Sequence, residues 1–218
     1  MTAVDAPPPW RHLFPVAAPG SLPWAGLEAY ARELARWNRS LRLVGPRDLP
    51  GIRVQIADAL CPFLLVPPPF PLLDIGSGAG LPALPVALCF PGAPVFCLEP
   101  LAKRVSFLRH AGRVLGLAAL HVLPGRMEDA SRRPELRGFF AAVTARAVAD
   151  PLVLLAGARP FLREDGQAFL LRGPAPPPAV PGWELHRDEQ YPAPPGLGPR
   201  RLAVYRLAPG HLPGGCFT

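Results

Sequence analysis

Three glycines, Gly76, Gly78 and Gly80, stand at every second position after an apolar run that ends in an acid, within LLDIGSGAGLPALPV (residues 72–86). Glycine tolerates φ above zero and lacks the β-carbon that would collide with a closely approaching ligand. The stretch therefore reads as a strand, a bare turn and the start of a helix. A dinucleotide-binding turn needs G-x-G-x-x-G to receive a pyrophosphate. Here the spacing is G-x-G-x-G, and Leu81 stands where that fingerprint needs glycine. Asp74, at the end of the first apolar run, sharpens the choice. A carboxylate repels a pyrophosphate but suits a ligand that carries an ammonium or sulfonium group.

S-adenosylmethionine carries both cations, together with a carboxylate that N–H groups at a helix start can receive. Glu99 comes nineteen residues after Gly80, at the end of a second apolar run, PVFCLEP. There it can accept hydrogen bonds from both ribose hydroxyls of an adenosyl group. Taken singly, the glycines would make an ordinary tight turn and Glu99 a surface acid. In sequence, strand, turn, helix, strand and terminal acid favour an adenosylmethionine site over a nicotinamide site. Asp74, Gly76, Gly78 and Glu99 are its candidate residues. No Cys or His spacing suits a metal.

The elements that must position these residues follow from periodicity. Leu27, Tyr30, Leu34, Trp37 and Leu41 step by three and four, which predicts a helix whose Arg32, Arg36 and Arg39 fall on a solvated face. A second helix is expected through IRVQIADALCPFLL, stopped by Pro67–Pro69. From Phe70, strand-like runs alternate with helical patterns, the signature of βαβ units and a parallel sheet. PLLDIG, PVFCLEP, ALHVLPG, FFAAVTARA and GQAFLLRG supply five strands. The helix after PVFCLEP buries Leu101, Val105, Leu108, Gly112 and Leu115, while Lys103, Ser106, Arg109, His110 and Arg113 point away. A helix through ADPLVLLAGARPFL leads into the fifth strand. GPAPPPAVPG reads as a linker, and WELHRDEQY with RRLAVYRL as a closing hairpin-like pair. The expected organisation is a Pro-rich arm over residues 1–24, mobile or loosely docked, a helical extension over 25–69, and a Rossmann-like α/β core over 70–218.

Composition limits the partners. Net charge is +7 with a sequence pI near 10.0, which leans towards a polyanion. Since 22 of the 23 basic residues are Arg and 33 residues are Pro, the excess could reflect a G+C-rich genome. Position decides in favour of nucleic acid: residues 101–146 hold nine basic and three acidic residues, so +6 of the net charge lies in one segment. Prolines interrupt every apolar run too soon for a bilayer span, and the N-terminus lacks a signal-peptide layout. Cys61, Cys89, Cys97 and Cys216 read as reduced, mostly buried thiols of a cytoplasmic protein.

LLDIGSGAGLPALPVAL, LEPLAKRVSFLR, GRMED and VTARAVADP together resemble the RsmG (GidB) family, bacterial methyltransferases that act on N7 of a guanine in 16S ribosomal RNA. YARELARWNRSL is similar to that family's N-terminal helix and IADALCPFLL to its lead into the core. The resemblance covers roughly residues 27–172, with weaker support in RRLAVYRL. It implies a class I methyltransferase fold with a mostly parallel seven-stranded sheet, S-adenosyl-L-methionine as cofactor, and 16S ribosomal RNA or the small subunit as partner. The expected working unit is a monomer. It also implies cofactor contacts at Gly76, Leu81, Met127, Glu128 and Arg146. Met127 offers a soft apolar surface to adenine and Glu128 a hydrogen bond to its edge. Arg146 fits either an ion pair or a grip on the cofactor carboxylate or an RNA phosphate. Lys103, Arg104, Arg109 and Arg126 are the candidate RNA-phosphate contacts, with Arg113, Arg132 and Arg133 as others.

Three positions depart from the family pattern. LRLVG replaces an Asn-Leu-Thr run, Gln55 stands where His is common, and Arg172 stands for Lys. No general base is expected, since guanine N7 presents a lone pair without a proton. A methyltransferase of another substrate, or a non-catalytic RNA-binding module, remains open at this level.

Overall fold

The computed structural model describes residues 10–15, 22–146 and 150–208. Seven strands form one sheet: β1 (Leu72–Ile75), β2 (Val95–Glu99), β3 (Leu120–Pro124), β4 (Phe140–Arg146), β5 (Leu162–Arg172), β6 (Trp183–Tyr191) and β7 (Arg200–Leu207), in the order β3-β2-β1-β4-β5-β7-β6. β7 runs antiparallel to both its neighbours, and every other pairing is parallel. The six α-helices among the described residues are α1 (Trp24–Leu41), α2 (Leu49–Leu65), α3 (Ala83–Cys89), α4 (Ala102–Val114), α5 (Met127–Ala130) and α6 (Pro151–Ala158). This is the mostly parallel, seven-stranded Rossmann-like architecture that the resemblance implies, with the hairpin β6–β7 closing the sheet as WELHRDEQY and RRLAVYRL suggest. None of the described helices is long and apolar enough to cross a membrane.

Period-two alternation sends β1 and β2 side chains to two separate apolar layers. Leu72, Val95 and Cys97 join α1, α2, α3 and α4 on one face. Leu73, Leu98, Phe140 and Val143 join α6 and Ala130 of α5 on the other. Burial on both faces explains why these parallel strands read as continuous apolar runs.

The α1 stripe behaves as its spacing predicts: Leu27, Tyr30 and Leu34 are fully buried. α2 begins three residues earlier than IRVQIADAL suggests, because Asp48 caps it through a bond from the Gly51 N–H, 3.2 Å. In α4, Leu101 departs from the expected face: it is the N-cap residue and is 52% exposed. Phe107 is buried in its stead, and Leu115 is only partly buried. His110 does not point away to solvent either. Its Nε2 lies 2.7 Å from Glu33 Oε2 of α1, beside the Trp37 ring.

The Pro-rich arm is anchored where it is described. Trp10, Leu13 and Phe14 are buried in the same cluster as α1 and α2, and Trp10, Phe14 and Trp24 meet as tilted and edge-on rings 5.5–5.9 Å apart. Arg53 lies over Trp10 at 5.6 Å. Residues 1–9 and 16–21 of that arm, and Ala149 at the expected start of α6, lie outside the described residues. Burial pushes the Cys61 and Cys89 thiols up to about 12, which makes both inert; Cys216 lies outside the described residues.

One hydrogen bond ties the N-terminal helices to the glycine turn. The Tyr30 hydroxyl, fully buried on α1, donates to the Ala79 carbonyl at 2.7 Å. Tyr30→Phe should lower stability by about 1 kcal/mol by leaving that carbonyl unsatisfied, read as an earlier urea midpoint at unchanged slope. An unchanged midpoint would show that the bond contributes nothing net.

Candidate functional site

Because β1 and β2 are parallel and in register (Ile75 opposite Leu98), the glycine turn and Glu99 leave the sheet at the same carboxyl edge. The Gly76 and Ser77 N–H groups both donate to the Leu98 carbonyl, at 2.8 and 3.2 Å. The chain then reverses through three positive φ values, 70° at Gly76, 54° at Gly78 and 80° at Gly80. Two of these glycines serve different ends. A β-carbon at Gly80 would sit 1.8 Å from Leu84 Cδ1, so Gly80 is required by α3 packing. A β-carbon at Gly78 would make only ordinary contacts, 3.7 Å from the Gly76 carbonyl oxygen and 3.9 Å from Arg104 Nη1; there the left-handed backbone itself is the requirement.

Glu99 is 1% exposed, and both its oxygens accept backbone donors: Oε2 from the Gly78 N–H at 2.8 Å and Oε1 from the Leu101 N–H at 2.9 Å. The carboxylate therefore fastens the glycine turn to the start of α4 and retains lone pairs for a ligand.

These groups wall a cavity of about 700 Å³. Gly76–Ala79 and Leu81 form one side, Glu99, Pro100 and Leu101 another, and Leu43–Gly45 of the α1–α2 loop a third. Arg104, Arg126, Gln55 and Arg146 complete it. In the turn, the Gly80 N–H is taken by the Ser77 carbonyl. The Ala79 and Leu81 N–H groups have no acceptor among the described residues and remain available to an anionic group.

Asp74 does not line the cavity. It lies behind the turn, 1% exposed, on the same sheet face as Leu72, opposite Cys97 in register. Neither of its oxygens closes a hydrogen bond of full geometry. Burial pushes its carboxyl up to about 7; Ser77 and Ala83 donors and the Arg146 charge oppose the rise, and Glu99 adds to it. Such an uncompensated buried acid fits a site that receives a cation.

Arg146, at the end of β4, is both an ion pair and a cavity residue. Its Nη2 donates to Gln55 Oε1 at 2.7 Å and to Asp58 Oδ2 at 3.0 Å. The buried Asp58 also accepts from Arg200 Nε of β7 at 2.9 Å. Gln55, at the position where the family pattern has His, thus orients Arg146 directly.

The remaining candidates divide. Arg104 and Arg126 reach the cavity, and Lys103 is exposed beside Arg104 at the start of α4. Arg109 and Arg113 line a separate groove of about 390 Å³ further along α4. Arg133 is held by the Pro124 carbonyl. Met127 packs its side chain on Gly157 of α6, where a β-carbon would lie 2.2 Å from its Cε. Glu128 is exposed, and neither residue lines the cavity. Sequence reasoning missed Leu43–Gly45, Leu101 and Asp58. LRLVG marked the loop only as a departure from the family pattern.

Asp74 gives the fold a pH dependence of definite sign. A carboxyl raised from 3.8 to about 7 costs nothing below pH 4, where both folded and unfolded chains are protonated, and costs fully above pH 7. Asp74→Asn should therefore melt higher than the parent chain at pH 8, with the gap closing as the pH falls to 4. A gap that stayed constant would show that Asp74 is not the group concerned.

The model of the family described as rRNA small subunit methyltransferase G (GidB) matches residues 24–178. A relative from Helicobacter pylori, named ribosomal RNA small subunit methyltransferase G, is 39% identical over 67% of this chain and 80% of its own length. A relative of the same name from Streptococcus pyogenes serotype M6 is 38% identical over 68% of this chain. The aligned part spans 64% of that relative's length, just under two thirds. The match begins at the first residue of α1 and carries through β5, so it includes every wall of the cavity. The chain belongs to the GidB family of small-subunit ribosomal RNA methyltransferases.

Proposed function

We propose that this chain transfers a methyl group from S-adenosylmethionine to N7 of a guanine in 16S ribosomal RNA. The observation that carries the reading is Glu99 locked to the Gly78 N–H at 2.8 Å on the wall of a cavity rimmed by Arg104 and Arg126. Family membership supports the reaction class.

The residues fit an adenosyl sulfonium ligand. Glu99 has lone pairs left for the ribose hydroxyls, Gly78 leaves room for close approach, and the N–H groups of Ala79 and Leu81 await a carboxylate. Asp74 favours positive charge behind the turn, directly or through water. Met127 packs on Gly157, so the adenine edge is assigned to the start of α5, whose N-cap residue Arg126 lines the cavity. Bound there, the ligand supplies a methyl group already activated by its sulfonium.

The protein's own work is then positional. Guanine N7 has an exposed lone pair and no proton at neutral pH, so no side chain need remove one before attack. Holding nitrogen in line with the methyl carbon is the main contribution. Arg146, fixed by Gln55 and Asp58, keeps further N–H donors for the cofactor carboxylate or a phosphate. Lys103, Arg104 and Arg126 give RNA affinity rather than base reading.

The test mixes the protein with labelled S-adenosylmethionine and naked ribosomal RNA, 30S subunits or 70S ribosomes from a strain lacking the activity. Label mapped to guanine N7 is expected, and label on no RNA despite a retained cofactor would overturn the reading. Arg146→Ala should cut transfer by about tenfold or more through lost positioning while leaving circular dichroism unchanged; full turnover would remove Arg146 from the site. In calorimetry, Glu99→Gln should weaken S-adenosylhomocysteine binding by about tenfold to a hundredfold, as expected for lost charge-assisted hydrogen bonds. Undiminished affinity would exclude Glu99 as the ribose acceptor.

A further inference from the structure

The loop joining α1 to α2, residues 42–48, is held rigidly against the cavity. Asn38, 2% exposed on α1, donates from Nδ2 to the Val44 and Pro46 carbonyls at 3.1 and 2.7 Å and accepts from the Val44 N–H at 2.9 Å. Arg42 caps α1 in the left-handed region, φ 49°, with its N–H on the Asn38 carbonyl. The Asn38 side chain thus fixes the far end of the turn, and its backbone carbonyl holds the near end. Leu43, Val44 and Gly45 consequently form a firm lip of the cavity.

That lip continues outwards. Beyond Leu43–Gly45 lies a furrow lined by Arg42 and Arg47, and Arg47 is shared with a further furrow that includes Arg39. The arginines here are of two kinds. Arg32 is tied to Glu28 at 2.9 Å and Arg36 to Glu33 at 2.7 Å. Arg39, Arg42 and Arg47 make no side-chain ion pair or hydrogen bond with any described residue. Asp48, the acid next to them, is engaged in capping α2 through the Gly51 N–H. Residues 38–48 therefore present three uncompensated guanidinium groups and one acid, on a backbone that a buried amide has already ordered. A phosphate arriving there displaces no internal partner, and the planar donor fork of arginine matches its oxygens.

We propose that the α1–α2 loop is a phosphate track for single-stranded RNA, with Arg39, Arg42 and Arg47 leading the backbone to the cavity mouth and the Asn38-locked lip flanking entry of the target guanine. This rests on the RNA-methylation reading above. Single-stranded or extruded RNA is the form required, because a base inside a duplex cannot present itself to a walled cavity. The track adds a second arm of positive charge to the Arg104–Arg126 rim, from Arg39 at the end of α1 and from Arg42 and Arg47 in the loop after it.

The test measures binding of a fluorescein-labelled, guanine-containing single-stranded oligoribonucleotide across a salt series, with the full chain. The variant Arg39→Ala/Arg42→Ala/Arg47→Ala should bind about tenfold or more weakly at low salt and lose about 2 from the log–log salt slope, at about 0.7 per phosphate contact. S-adenosylhomocysteine affinity and circular dichroism should not change. Arg163→Ala, which removes one charge at the opposite end of the sheet, where Arg163 pairs with Asp165, should leave slope and affinity as they were. An unchanged slope in the triple variant, an equal loss in Arg163→Ala, or no salt-dependent binding by the parent chain would each overturn the track. A parent chain that binds RNA through these arginines yet methylates none would sink the methylation reading and leave the track standing.

Discussion

The Glu99 carboxylate, buried and bonded to the N–H groups of Gly78 and Leu101, holds the loop after β1 to the loop after β2, beyond the point where the Leu98 carbonyl ties their strand ends. A buried carboxylate without partners would be strongly destabilising, and two charge-assisted bonds to backbone donors offset that cost. Because the donors belong to the glycine turn and to the first residues before α4, satisfying the charge also sets the spacing of the cavity's two main walls. The parallel register of β1 and β2 brings both loops to one edge, and the left-handed backbone at Gly78 turns its N–H towards the acid. Only a residue without a β-carbon holds that conformation without strain while leaving the cavity clear.

Around this centre the charges are arranged in layers. Asp74 lies behind the turn without full hydrogen-bond partners, a buried acid that the fold tolerates rather than uses for stability. Asp58 is the opposite case, balanced by Arg146 and Arg200. It links α2 to two strands and holds Arg146 at the cavity wall. The outer rim is unbalanced again, with Arg104 and Arg126 on one side and the α1–α2 loop arginines on another. Internal charges are thus matched where rigidity is needed, and left unmatched where a ligand of opposite sign is to arrive.

Much of this was legible in the chain because it is local. A glycine at every second position after a strand, and an acid at the next strand's end, specify backbone turns and edge positions that distant residues do not alter. The α1 stripe and the five parallel strands were legible for the same reason. Other features depend on contacts far apart in sequence. Leu101 matches the period of α4 but precedes its first turn, so it faces the cavity rather than the core. Met127 has the chemistry to face adenine, yet Gly157 of α6 leaves a hollow that its side chain fills. The proline-rich arm conceals an anchor because Trp10 and Phe14 have no periodic neighbours, and their burial depends on Trp24, Arg53 and the apolar cluster of α1 and α2. The α1–α2 loop carries no period at all, and its place at the mouth follows from one buried asparagine.

The central claim is that the Gly76–Gly80 turn and Glu99 grip an adenosyl group. A crystal structure of the chain with S-adenosylhomocysteine tests it most directly. The account predicts both ribose hydroxyls on the Glu99 carboxylate, with the amino-acid end lying along Gly76–Leu81. Ligand bound elsewhere, or an adenosyl group in the cavity that leaves Glu99 untouched, would contradict it.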